Sequence, residues 1–73
     1  MADVIVDGRG LLPPEPLEKV LEALDALAPG DRVRFVIDRE PVPLYRVLHL
    51  NGYEYRAEFG DDGTVQVLIW PQT

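Results

Sequence analysis

The chain has no cysteine and no serine, and its only threonines are Thr64 and Thr73. Without a thiol there is no disulfide, no thiolate nucleophile and no Cys/His metal knot. Hydroxyl nucleophiles are almost as scarce. Histidine occurs once, as His49, and a lone histidine makes a poor metal set. No catalytic residue, metal or cofactor is therefore expected. Positive charge is also sparse: seven Lys and Arg stand against 13 Asp and Glu, a formal charge of −6. That balance repels phosphate backbones and anionic lipid, and the arginines are scattered singly, so neither nucleic acid nor a membrane is expected as partner. No apolar run is long enough for a transmembrane helix, and Met1-Ala2-Asp3 does not open a signal peptide, which points to the cytoplasm.

What is present is 73 residues of 47% apolar content. This is one expected domain, residues 1–73, near the lower size limit for folding on a core without staples. Seven prolines and a single lysine, Lys19, suggest a thermophilic or high-GC source.

The apolar pattern orders the chain. Val4-Ile5-Val6 between Asp3 and Asp7 reads as a short buried strand. Leu17, Val20, Leu21, Leu24, Leu27 and Ala28 fall at helical spacing, with Glu18, Lys19, Glu22 and Asp25 on the other side. Pro14 suits the first turn of that helix and Pro29-Gly30 its end. Arg32 to Ile37 alternates as a strand. A second helix begins around Pro41–Pro43, turns Leu44, Val47 and Leu48 inward, and stops at Asn51-Gly52. Tyr53, Tyr55, Ala57 and Phe59 alternate with Glu54, Arg56 and Glu58. A hairpin connection at Gly60-Asp61-Asp62-Gly63 leads to a last strand that presents Val65, Val67 and Ile69 and ends at Pro71. The order βαβαββ predicts an α+β fold, a two-layer α/β sandwich with a four-stranded mixed sheet. Both helices should lie on one face, because the charges of strands two and three leave the other face wet.

Two blocks carry a family resemblance. Asp7, Arg9, Gly10, Leu11, Pro14 and Pro16 fall where the opening signature of the TusA/SirA-like sulfur carriers, Asp-x-Arg-Gly-Leu-x-Cys-Pro-x-Pro, wants them. Pro13 stands at the carrier cysteine, so the chain resembles the family's fold and lacks its sulfur chemistry. Asp38-Arg39-Glu40-Pro41-Val42-Pro43-Leu44-Tyr45 is similar to a block in a cysteine-free branch of this superfamily, a conserved bacterial family of unknown function. Many relatives carry histidine where this chain has Arg39. The resemblance implies the same two-layer sandwich. Such domains occur beside hemerythrin-like or redox domains, so it also implies a protein partner in nitrogen-oxide, oxygen or sulfur redox pathways.

Candidate site residues follow from topology. Loops leaving two parallel strands emerge at one sheet edge and feed helix N-termini, where anions are favoured. Arg9 lies in the first loop and Arg39 in the second, and could grip a small anion between them. The competing and favoured reading pairs them with nearby acids such as Asp7, Asp38, Glu15 and Glu40. Prolines leave only Glu15 and Leu17 as donors in the first turn. Trp70 and Tyr45 are candidate partner anchors, with core-end packing as the other reading of Trp70. His49 reads as exposed or partly packed, and Asp61-Asp62 as a turn.

The pattern is best read as a non-catalytic binding or adaptor domain, a monomer or weak dimer, with Arg9, Glu15, Arg39, Glu40 and Trp70 as binding candidates. The alternative is a small anion- or ligand-binding protein or enzyme using the loops before the two helices. That alternative needs a pocket, for which a one-layer helical cover on so short a chain seldom leaves room. RNA binding is the weakest reading at this charge.

Overall fold

Apolar residues at every second position make the inner face of the two central strands. Val33, Phe35 and Ile37 of one strand and Val65, Val67 and Ile69 of another are all buried on the same face. The computed structural model describes residues 2–72. Its elements are β1 (Asp3–Asp7), α1 (Glu15–Asp25), β2 (Arg32–Ile37), α2 (Val42–Leu50), β3 (Tyr53–Phe59) and β4 (Val65–Pro71). They form one four-stranded mixed sheet in the order β1-β2-β4-β3. β1 and β2 run parallel, and the other two pairings are antiparallel. This is the expected α+β sandwich.

Both helices close over one face. Val20 and Leu24 of α1 and Leu44 and Leu48 of α2 join the central-strand residues in a single core cluster. Burying those ten apolar side chains, at roughly 1.5–3 kcal/mol each before chain entropy is subtracted, is the main favourable term. Tyr45 of α2 adds a stack on Tyr55 of β3, with centroids 4.4 Å apart and planes 7° from parallel. Among the described residues, no helix is long and apolar enough to cross a membrane.

The other face is held by charge. Asp3 of β1 accepts hydrogen bonds from Arg32 Nε at 3.2 Å and from Arg34 Nη2 at 2.9 Å. Arg34 Nη1 donates to Gln66 Oε1 of β4 at 2.8 Å. One guanidinium thus links the first, second and fourth strands across the sheet, and these bonds hold the Asp3 carboxyl below its usual range.

Two expectations need correction. β1 is not a buried strand: Val6 is buried, but Val4 is 39% and Ile5 69% exposed. β1 lies at a sheet edge, and its middle residue faces the open side beside Arg34. Helix α1 ends at Asp25, before Leu27 and Ala28. A residue before proline avoids helical geometry, which excludes Ala28, and the chain has already turned at Ala26. Leu27 still rests against the core from the following loop.

Candidate functional site

The loop after β1 is shaped by a close approach. Gly8 is buried and donates its N–H to the Val36 carbonyl at 2.7 Å. A Cβ built there would lie 2.6 Å from Cε1 of Phe35. Gly10 follows with φ of 76°, the left-handed region that glycine occupies without strain. Between them Arg9 folds back on Asp7. Its Nε and Nη2 donate to the two carboxylate oxygens at 3.0 Å each, and its backbone N–H adds a third bond at 3.1 Å. The loop then leads into α1 through Pro13, Pro14 and Pro16, and the Pro13–Pro14 bond is cis. The loop after β2 mirrors it, leading into α2 through Pro41 and Pro43.

Between these two proline loops lies an apolar groove of about 410 Å³. Its walls are the prolines of both loops, its floor is Phe35 and Ile37, and Arg39 and Glu40 stand at its mouth. A one-layer helical cover on so short a chain seldom leaves room for a pocket, and this fold does leave room for a groove. The prolines of both helix starts line the groove, and Phe35 and Ile37 at the end of β2 border it while staying almost fully buried. The paired proline blocks are the sequence signal for this groove, although in the sequence they register only as missing donors.

The groove has little capacity for an anion. Pro14, Pro16, Pro41 and Pro43 have no N–H. The amides of Glu15, Val42 and Leu44 already donate to the carbonyls of Leu12, Glu40 and Pro41 at 3.0 Å each. The free donors that make a helix start attractive to phosphate are therefore nearly all removed or engaged. Among the described residues, no group of three His, Asp or Glu side chains gathers as a metal site.

The candidate residues separate into distinct places. Arg39 and Glu40 line the groove. Glu40 also accepts a hydrogen bond from the Tyr45 hydroxyl at 3.2 Å, and burial together with that bond pushes the tyrosine up to about 12. Glu15 is exposed between the lining residues Pro14 and Pro16. Arg9 is not in the groove; its guanidinium is held by Asp7. Trp70 stands on the opposite, open face, where its Nε1 donates to Glu54 Oε2 at 3.1 Å. Arg9 and Arg39 therefore do not form one clamp. Arg39 makes no ion pair among the described residues, and His49 is exposed on α2.

The Asp7–Arg9 pair yields a pH prediction. Hydrogen bonds from the Arg9 side chain, then its backbone N–H, lower the Asp7 carboxyl from 3.8 to about 2. A folded value below the unfolded one stabilises the fold above the unfolded value, and that contribution is lost as pH falls toward the folded one. Asp7→Asn should therefore melt below wild type at neutral pH, with the gap closing between about pH 4 and pH 2. The gap should be small, because both side chains are more than half exposed. A difference in melting temperature that is constant over that window would refute the assignment.

Residues 5–71 match the family described as Uncharacterized conserved protein (DUF2249). The crystal structure of a SirA-like protein from Desulfitobacterium hafniense superposes on the chain with a TM-score of 0.81. The match covers 100% of both chains at 22% identity, which makes it a likeness of fold. No curated protein matches the chain.

Proposed function

The chain belongs to the DUF2249 family of uncharacterized conserved proteins, and from that premise we propose that it is a non-catalytic docking domain whose recognition site is the groove between the two proline loops. The observation that carries this reading is the groove itself, apolar along its walls and floor and lined by no thiol or hydroxyl among the described residues. Exposed apolar side chains flank it in the chain: Leu12, 77% exposed, precedes Pro13, and Val42, 58% exposed, sits between Pro41 and Pro43. Apolar surface left in water beside a concave apolar site is the usual mark of an interaction surface. The alternative anion site loses support from the Asp7–Arg9 pair and the engaged helix-start amides. A redox or sulfur- and nitrogen-oxide-handling partner is the proposed biological setting, on the strength of the family resemblance.

Site-specific photo-crosslinking tests the surface. A photoreactive phenylalanine analogue at Leu12 or Val42 should capture a discrete protein from the source cell's lysate, and the same analogue at Ile5 on the open face should not. Capture at Ile5 alone would overturn the proposal. The absence of carrier chemistry is tested separately by intact mass after incubation with a persulfidated cysteine desulfurase. The mass should not change, since no cysteine sulfur is present to accept a persulfide. A gain of one sulfur would defeat it.

A further inference from the structure

The groove's charge surroundings point to the chemistry of its occupant, an inference that rests on the docking reading above. Its interior is apolar, so the anchoring group must be apolar. Its rim is not neutral. Glu15 lies between the lining residues Pro14 and Pro16, Asp38 lies between Ile37 and Arg39, and Glu40 itself lines the mouth. All three are exposed, and Arg39 is the one cation among them. Three of the other cations are paired with acids, although the charge of Arg9 still reaches Asp38. Arg9 is held by Asp7, and Arg32 and Arg34 are held by Asp3 on the open face.

The two helix N-termini that face this end of the fold each bring a partial positive charge. Their N–H groups are mostly absent or engaged, however, so a bound anion would gain few hydrogen bonds. The formal charge of −6 extends the local balance to the whole molecule, so the long-range field favours an approaching cation. We infer that the groove receives a basic, apolar-anchored segment of a partner protein. A bulky apolar side chain fills the space over Phe35 and Ile37, and Lys or Arg on either side of it meets Glu15, Asp38 and Glu40. An acidic or carboxylate-headed segment would have Arg39 alone to receive it, with carboxylates on both sides. Rim charges of this kind act chiefly on association rate and its salt dependence, while the buried anchor sets the lifetime of the complex.

The test uses a random-sequence peptide library selected against the folded chain, with two readouts. The first is location: backbone amide shifts of Leu17, Phe35, Ile37 and Leu44 should move on titration with a selected peptide. The second is charge: selected sequences should carry an apolar residue flanked by Lys or Arg, and binding should weaken several-fold as salt rises. Asp38→Asn with Glu40→Gln should also weaken it several-fold, with the native melting profile retained because glutamine still accepts from Tyr45. Peptides that perturb the groove but are enriched in Asp or Glu, and that lose binding in Arg39→Gln, would overturn the charge inference and leave the docking site standing. Peptides that shift only open-face residues such as Ile5 and Leu68 would overturn the site itself. No enrichment over an unrelated acidic protein would overturn both.

Discussion

Phe35→Ala is expected to lower the unfolding free energy by about 3–5 kcal/mol, the usual loss for truncating a buried phenylalanine. The ring is 1% exposed and sits among Val33, Val67 and the two helices in the core cluster. A chain of this length has roughly 4–11 kcal/mol of total stability on the per-residue scale of small domains. The variant should therefore be close to unfolding at physiological temperature. Each lost kcal/mol shifts the midpoint of a small domain by about 4–8 °C, so thermal melts should show a fall of at least about 10 °C. A fall of only a few degrees would mean that the ring floors the groove without supporting the core. Phe35→Leu is the gentler control, because it keeps the aliphatic part of the contact while shortening the side chain.

Gly8→Ala should destabilise by about 1–3 kcal/mol, through overpacking. The new methyl would sit 2.6 Å from Cε1 and 3.0 Å from Cζ of Phe35. Retreat is limited, since the Gly8 amide is tied to Val36 at 2.7 Å. The backbone at Gly8 is not in the left-handed region, so the effect is one of contact. Gly10→Ala provides the contrast: it has φ of 76° and nothing within 4 Å of the added methyl, so any loss there is backbone strain. A double-mutant cycle separates the two causes. In a Phe35→Leu background the clashing ring atoms are gone, and the Gly8→Ala penalty should shrink by about 0.5–3 kcal/mol, the range for residues in contact. Gly10→Ala should add to Phe35→Leu without coupling. Strict additivity for Gly8 and Phe35 would show that the clash is relieved by another movement.

The sheet is legible in the sequence because apolar residues recur at every second position on the inner face of its central strands, although Leu68 on the other face is buried as well. Val33, Phe35 and Ile37 of β2 and Val65, Val67 and Ile69 of β4 are buried on the inner face, and turn residues bound these strands at Gly30 and Gly63. Edge position is not legible. Three apolar residues in a row, Val4-Ile5-Val6, read alike in a buried strand and in an edge strand, and only the pairing order distinguishes them. Helix α1 looks three residues longer than it is because Leu27 and Ala28 continue the apolar spacing after the backbone has turned. Part of the site is visible: Arg39 and Glu40 stand out by lying before a helix start, and they do stand at the groove. The groove's floor is hidden, since Phe35 and Ile37 read simply as core residues of β2. They border the groove only because two helices, far apart in the chain, begin beside them. The separation of Arg9 from Arg39 is also invisible, because sequence neighbours such as Asp7 offer a pairing without fixing that it forms.

Five of the seven prolines line the groove, and this bears on the thermodynamics of any complex formed there. Each proline ring confines φ to a narrow range, with Pro14 at −93° and Pro41 at −85°, and carries almost no side-chain freedom. Loops that must be ordered at an interface typically lose about 0.5–1.5 kcal/mol for each immobilised flexible side chain. The walls here have little such freedom to surrender, and the conformational entropy lost on association falls mainly on the incoming segment. The groove walls are therefore preorganised, and for the proposed docking the rigidity of the incoming segment, more than adaptation of this chain, would set the affinity.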